Sequence, residues 1–314
     1  MGRVVRLREE APSTWEEAVG QYLCWKQAQG VRPITLKGHR DVIGQFFRKH
    51  PEAWDPGKLK QAVYAFMGEE VKPATYNIRR NYLRQFFSWC QKEGIFPESP
   101  LAGFKKRKDE GRVACLDGDT LTRLLTLPDR KTFAGLRDYA LICLTLDTGI
   151  RPKEAFSLLP SDVSLSTLEV RVRPEVSKTA SSRVLPISPT TADAIRRLLA
   201  TRHPSWKRDV PLFCTCDGTP LRNDTWGDRL QVYGRKLGVR IRPYDLRHSF
   251  ATWFLRNGGN ALALQRVLGH TTLDTTKRYV HLTEGDLREQ HALASPLQAL
   301  LPKRGRVRKA GGGK

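Results

Sequence analysis

Apolar residues recur at helical spacing four times in the first hundred positions. Val19, Tyr22 and Leu23 follow two overlapping capping-box patterns, Ser13 with Glu16 and Thr14 with Glu17, which satisfy the first free N–H groups of a helix. Val42, Ile43, Phe46 and Phe47 make a second stripe that stops near His50-Pro51. Leu59, Val63 and Phe66 make a third after Pro56-Gly57. The fourth begins after Pro73 and sets Leu83, Phe86, Phe87 and Cys90 at i, i+3, i+4 and i+7, with Gly94 as its stop. Residues 13–102 therefore read as an all-α, four-helix domain whose aromatics fill a core rather than a base-stacking platform. On its last helix Arg79, Arg80 and Arg84, preceded by Lys72, read as an exposed basic face with no acid between them.

Residues 103–112 are polar, basic and flanked by glycines, which predicts a linker whose Lys105, Lys106 and Arg107 lie against a polyanion. Beyond it the periodicity alternates. Residues 121–125 and 139–146 read as helices. Residues 168–172 and 183–187 are short β-rich runs around a polar turn, which predicts a hairpin. Further helices are expected over 192–199, 224–237, 246–257 and 261–268, with Gly258-Gly259 separating the last two. Residues 113–295 thus read as a mixed α/β, mainly helical domain with a small β-sheet. Residues 296–314 end in six positive charges and no acid, the pattern of a disordered basic tail.

Charge narrows the partner. The 314 residues hold 54 Lys+Arg against 32 Asp+Glu, a formal net charge of +22, which points to nucleic acid first and an anionic membrane second. The longest apolar stretch, residues 139–146, falls well short of the roughly 20 residues that cross a bilayer. The opening residues lack the apolar core of a secretory signal. Six cysteines (Cys24, Cys90, Cys115, Cys143, Cys214 and Cys216) are too sparse for a disulfide scaffold and read as buried free thiols of a reducing compartment. Cys214 and Cys216 have no second ligand pair at zinc spacing. A phosphate-cradling glycine loop, a His-Glu-x-x-His motif and an acidic cluster for paired magnesium ions are all missing, so no metal or other cofactor is expected. If a basic chain of this kind cuts phosphodiesters, it must neutralise phosphate with side chains and attack with a nucleophile of its own.

Candidates for that chemistry stand in a definite order. Thr148-Gly149-Ile150-Arg151 closes an apolar helix, with Glu154 just beyond. Lys178 sits at the hairpin tip. Tyr244-Asp245-Leu246-Arg247-His248 opens a helix, and Leu268-Gly269-His270 and Tyr279 follow. Each alone has a plain reading: Arg151 an ion-pair partner at a helix start, Lys178 a turn lysine, His270 a helix cap, Tyr279 a packed tyrosine. Their joint occurrence in a basic two-domain chain argues for a site.

In these motifs, and in Tyr82-Leu83-Arg84-Gln85-Phe86-Phe87, the chain resembles the tyrosine recombinase (phage integrase) family in its compact, Xer-like form, over roughly residues 13–285. The resemblance implies a SAM-like core-binding domain followed by a tyrosine recombinase catalytic domain. It implies Tyr279 as the nucleophile that forms a 3′-phosphotyrosyl bond and frees a 5′-hydroxyl. Arg151 and Arg247 are then the guanidinium clamp on the non-bridging oxygens, and Lys178 the proton donor to the leaving 5′-oxygen. His270 bonds the phosphate or assists proton transfer, and Glu154 orients the clamp. Family members usually carry histidine where this chain has Tyr244. A phenol with a pKa of about 10 can donate to phosphate but is a poor base near neutral pH. His248 is expected on a different helical face, in a structural role.

The implied activity is site-specific recombination of duplex DNA through a Holliday junction, without metal or ATP. The implied assembly is a homotetramer on two DNA sites, monomeric or weakly associated when free, in the cytoplasm at the nucleoid of a prokaryote or its mobile elements. The apolar series Leu282, Leu287, Ala292, Leu293, Leu297 and Leu300 is expected to pack on a neighbouring protomer. The rival readings are a catalytically silent DNA-binding protein and a monomeric type IB topoisomerase.

Overall fold

The computed structural model describes residues 12–109, 115–175 and 182–280, with residues 288, 291–292 and 295–297 beyond them. Lys178, the basic tail and most of the apolar series after Tyr279 lie outside the described residues. The chain divides into two compact units, Met1–Arg112 and Val113–Lys314.

The first unit consists of α1 (Trp15–Ala28), α2 (Pro33–Lys49), a 3-10 turn at Pro51–Trp54, α3 (Pro56–Gly68) and α4 (Pro73–Lys92). Thr14 caps α1 by accepting from the Glu17 N–H, and Ser13 donates to the Glu17 carboxylate. Proline opens α2, α3 and α4, where its missing N–H costs nothing. The aromatic stripes meet as one core. Phe46 packs edge-to-face on Phe66 at 5.3 Å and on Phe87 at 5.9 Å, and all three are wholly buried. His39 is enclosed beside Tyr22, and burial pulls its pKa down to about 4, helped by Lys26.

One expectation is corrected in this unit. Arg79 and Arg80 are not exposed. They precede Leu83 by four and three residues, so they share its buried face rather than opposing it. Arg79 Nη1 bonds the Glu69 carboxylate at 2.8 Å and its guanidinium lies 4.3 Å over the Phe66 ring, while Arg80 Nε donates to the Phe104 carbonyl at 2.6 Å. The expected linker, residues 103–112, is held to α4 at Arg107, a contact that neither supports nor overturns that reading. Asn77 on α4 clamps both backbone groups of Arg107, whose guanidinium lies 3.8 Å over Tyr76. Lys72, Arg84, Lys105 and Lys106 are exposed, as expected.

The second unit runs α5 (Gly118–Thr126), α6 (Phe133–Thr148), α7 (Pro152–Phe156), a 3-10 turn at Pro160–Asp162, and strands β1 (Val163–Ser164), β2 (Glu169–Val172) and β3 (Arg183–Pro186). It continues with α8 (Pro189–Ala200), α9 (Asn223–Leu237), α10 (Pro243–Arg256), α11 (Ala261–Leu268) and α12 (Leu273–Lys277). The strands form one antiparallel sheet in the order β1-β2-β3, with Val163 opposite Val170 and Val170 opposite Leu185. Val170, Val172 and Leu185 point into the core while Glu169, Arg171 and Val184 face out. Helix α6 is the unit's axis, packed against α8 and α10. It is buried on nearly all sides and even encloses Asp138, whose carboxylate receives Arg137, Arg229 and the Tyr233 hydroxyl.

The cysteines divide. Cys90, Cys143 and Cys214 are buried, but Cys24 and Cys216 are exposed, so the expectation of uniformly buried thiols is corrected; Cys24 lies on the solvent side of α1 and Cys216 in a turn. Among the described residues no helix is long and apolar enough to cross a membrane, and no group of three or more His, Cys, Asp or Glu residues could hold a metal ion.

Candidate active site

The site is built where α6, α7, α10 and α11 end or begin. Gly149 caps α6 in the left-handed region, φ +60°. A Cβ there would lie 2.3 Å from the Phe250 ring and 2.7 Å from Leu268, so only glycine lets the chain turn this close to α10 and α11. The turn delivers Arg151 to the start of α7. Its backbone N–H donates to Glu154 Oε2 at 3.1 Å, its Nη1 to Glu154 Oε1 at 3.0 Å, and its Nη2 to the Gly269 carbonyl at 2.9 Å. Glu154 is 1% exposed and also takes a two-pronged ion pair from Arg183 at the start of β3, 3.1 and 2.6 Å. Burial alone pushes the Glu154 carboxyl up, but Arg183 and Arg151 outweigh it and hold the group below the usual carboxylate value.

Helix α10 carries Arg247 into the same place. It is 3% exposed and donates to the carbonyls of Gly149 and Leu268, the latter at 2.8 Å, with Nη2 also 3.1 Å from His270 Nε2. Burial and the neighbouring Arg151 charge lower its pKa to about 10, so it stays cationic at neutral pH. Arg183 Nε donates to the Val267 carbonyl at 3.0 Å. Three successive carbonyls at the end of α11, those of Val267, Leu268 and Gly269, thus receive one arginine each. These are acceptors that a helix terminus leaves unpaired, at its negative pole.

Gly269, φ +63°, turns the chain so that His270 lies against this group, with Nδ1 2.9 Å from Thr276 Oγ1. Burial first, then Arg247, Arg151 and Arg183, depress its pKa to about 4, so the ring is neutral. Arg247 can only donate, so Nε2 accepts and the ring proton sits on Nδ1, donating to Thr276. Tyr279, just after α12, is 8% exposed and packs with Phe250, Ala251, Leu264 and Leu268. Burial raises its pKa, opposed by Arg247, Arg278 and Arg151. Its hydroxyl lies 2.7 Å from Nδ1 of His248.

Of the residues picked out from sequence, Arg151, Glu154, Arg247, His270 and Tyr279 converge here. Tyr244 stands apart, 48% exposed, with its ring 6.4 Å from that of His248. Two participants were missed. His248 was expected to be structural, but it contacts the Tyr279 hydroxyl. Arg183 shares Glu154 with Arg151. Only chain reversals of 31 and 29 residues make these contacts, and no local pattern signals them. Among the described residues, Glu154 is the one carboxylate bonded within the cluster, to Arg151 and Arg183 but not to Arg247, so the three guanidiniums carry an excess of two positive charges.

The profile of the phage integrase family matches residues 114–285. The chain belongs to this family, the tyrosine recombinases. It is 32% identical over 217 residues to the tyrosine recombinase XerC of Actinobacillus pleuropneumoniae, covering 68% of this chain and 70% of the relative. To XerC of Shewanella amazonensis it is 28% identical over 280 residues, 86% of this chain and 92% of that one. Among solved structures, the Tn1549 transposon integrase in complex with transposon right end DNA has a TM-score of 0.73 at 17% identity, covering 89% of this chain and 99% of that one. The XerH site-specific recombinase bound to its difH substrate has a TM-score of 0.66 at 20% identity, covering 88% and 83%. At such identity these two establish the fold. The matched segment contains the arginine cluster and Tyr279.

Proposed function

We propose that this tyrosine recombinase cuts and rejoins duplex DNA at specific sites, with Tyr279 as nucleophile and Arg151 and Arg247 as the phosphate clamp. The observation that carries the reading is the excess of two positive charges around a single buried carboxylate, beside a buried tyrosine. Uncompensated buried charge is costly unless an anion completes it. A phosphodiester supplies that anion, and guanidinium forks match its non-bridging oxygens.

The phenol oxygen attacks phosphorus, forms the 3′-phosphotyrosyl bond and displaces the 5′-oxygen, to which Lys178 supplies a proton. The energy of the broken bond is kept in the phosphotyrosine, so rejoining needs no nucleotide. Strand exchange proceeds through a Holliday junction in a homotetramer on two DNA sites, built from protomers that associate weakly when free. The Tn1549 transposon integrase in complex with transposon right end DNA, and XerH bound to its difH substrate, support a DNA partner for this fold. The setting is the cytoplasm at the nucleoid. Residues 13–102 serve as the core-binding domain, 103–112 as the basic connection, 113–295 as the catalytic domain and 296–314 as the tail. The exposed Lys72, Arg84, Lys105 and Lys106 contact DNA phosphates. Replacing one with alanine lowers the slope of log affinity against log salt by about one.

A duplex nicked next to the cleavage site tests the reading. Wild-type protein accumulates a covalent adduct at Tyr279. Tyr279→Phe binds the same duplex within a few-fold and forms none. An adduct persisting in that variant overturns the assignment, and binding without any wild-type adduct favours the silent DNA-binding protein.

A further inference from the structure

Position 244, where the family pattern has histidine, holds an exposed tyrosine. One turn further along α10, His248 brings Nδ1 within 2.7 Å of the Tyr279 hydroxyl, with the two rings 5.7 Å apart. We propose that His248 is the general base of DNA cleavage, accepting the Tyr279 proton on Nδ1 as the phenol oxygen attacks phosphorus. The inference rests on Tyr279 being the nucleophile.

The step balances. The Tyr279 O–H bond breaks and an Nδ1–H bond forms. The electron pair left on the phenol oxygen makes the new O–P bond. The P–O5′ bond breaks with its pair on the 5′-oxygen, which takes its proton from Lys178. On rejoining, the proton on Nδ1 returns to the phenol oxygen as it leaves phosphorus.

The surroundings suit that exchange. Residues 247 and 248 are about 100° apart around the helix, so α10 aims Arg247 at the Gly149 and Leu268 carbonyls and His248 at Tyr279. Burial lowers the His248 pKa, and Arg247 on α10, Arg242 before it and Arg278 beside Tyr279 act in the same direction, against Asp245. The ring is therefore neutral near pH 7, and with its proton on Nε2 it offers Nδ1 to the phenol. The positive charges that keep His248 unprotonated, those of Arg247 and Arg278, also favour the phenolate as it forms. Once protonated, the imidazolium has the Asp245 carboxylate on the same helix as its counter-charge. The Tyr244 ring stands 6.4 Å from the imidazole, tilted by 40° to it.

The test is single-turnover cleavage of the nicked duplex across pH by wild type, His248→Asn and Tyr279→Phe. Asparagine can still accept the phenol hydrogen bond but cannot take its proton. His248→Asn is expected to slow cleavage by on the order of 10² or more, to lose the fall in rate toward acid pH, and to bind DNA within a few-fold of wild type. A fluorinated tyrosine at position 279, whose phenol ionises near neutral pH unaided, is expected to restore most of the rate to His248→Asn. Cleavage by His248→Asn at the wild-type rate overturns the inference, and so does a slowed variant that keeps the acid limb and is not rescued. Faster cleavage also overturns it, because His248 would then hold the nucleophile back. Should His248→Asn fail to fold, His248→Ala with free imidazole in the buffer makes the same comparison: rescue growing with the unprotonated imidazole supports the base role, and no rescue overturns it. An adduct formed by Tyr279→Phe strikes the underlying assignment instead.

Discussion

Arg79 and Arg80 in the N-terminal unit are nearly as deeply buried as Arg247 in the second, yet the two neighbourhoods handle the charge differently. Arg79 meets a Glu69 carboxylate that is still partly open to water, and the flat face of Phe66; Arg80 meets a backbone carbonyl. Arg151 and Arg183 share one enclosed carboxylate, Arg247 beside them has only backbone carbonyls and His270, and all three lean on the end of a helix. A buried arginine is therefore no mark of function by itself. The mark is positive charge that the protein leaves unmatched.

The contrast is breakable at several points. Glu154→Gln removes the single carboxylate from beneath Arg151 and Arg183, and should cost about 3–5 kcal/mol of folding stability, the usual penalty for stranding a buried charge. Denaturant midpoints measure it, and a loss under about 1 kcal/mol, the scale of exposed ion pairs, would mean that water already screens the cluster. Arg151→Ala or Arg247→Ala should lower single-turnover cleavage by about 10²–10³, equivalent to about 2.7–4 kcal/mol at the transition state. Unchanged cleavage would remove that arginine from the clamp.

Titration sharpens the comparison further. His39 and His270 both stand at about 4 instead of 6.5, the first through burial with help from Lys26, the second through burial and three arginines. With folded values below the unfolded one, the stability their neutral rings confer is whole above pH 6.5 and is lost as pH falls toward 4. Binding of cognate DNA should raise the His270 value toward neutrality, because the phosphate offsets the arginines, and leave His39 where it is. Imidazole carbon shifts recorded with and without duplex report both rings at once, and equal movement of the two would contradict the charge argument. The smallest effect is expected from Glu69→Gln, at most about 1 kcal/mol, since the Glu69 side chain is partly exposed and Arg79 keeps the Phe66 ring and carbonyl.

Much of this was legible along the chain, and the gaps have physical causes. Most of the long helices and the β2–β3 pair follow from periodicity because each buries one face, whereas α6, buried on nearly all sides, shows itself only as an apolar run. The two-residue β1 and the five-residue α7 and α12 are too short to show a period, and tertiary contacts hold them. The misreading of Arg79 and Arg80 came from letting charge override spacing: their distance from Leu83 already put them on its stripe. Within the site, the residues proposed to face phosphate form recognisable local motifs. Those that serve other side chains, Arg183 for Glu154 and His248 for Tyr279, are joined to them only through folding, so their chemistry is silent in one dimension.

The three consecutive carbonyls of Val267, Leu268 and Gly269 bear on redesign. Backbone oxygens are present whatever the side chains, so substitutions along α11 are tolerated better than changes of length. Inserting or deleting a single residue just before Gly269 would put all three arginine anchors out of phase at once, because each depends on a different neighbour in the same run. Anyone grafting new target specificity onto this scaffold can vary its DNA-facing surface residue by residue, but has to move residues 267–270 as an uncut block.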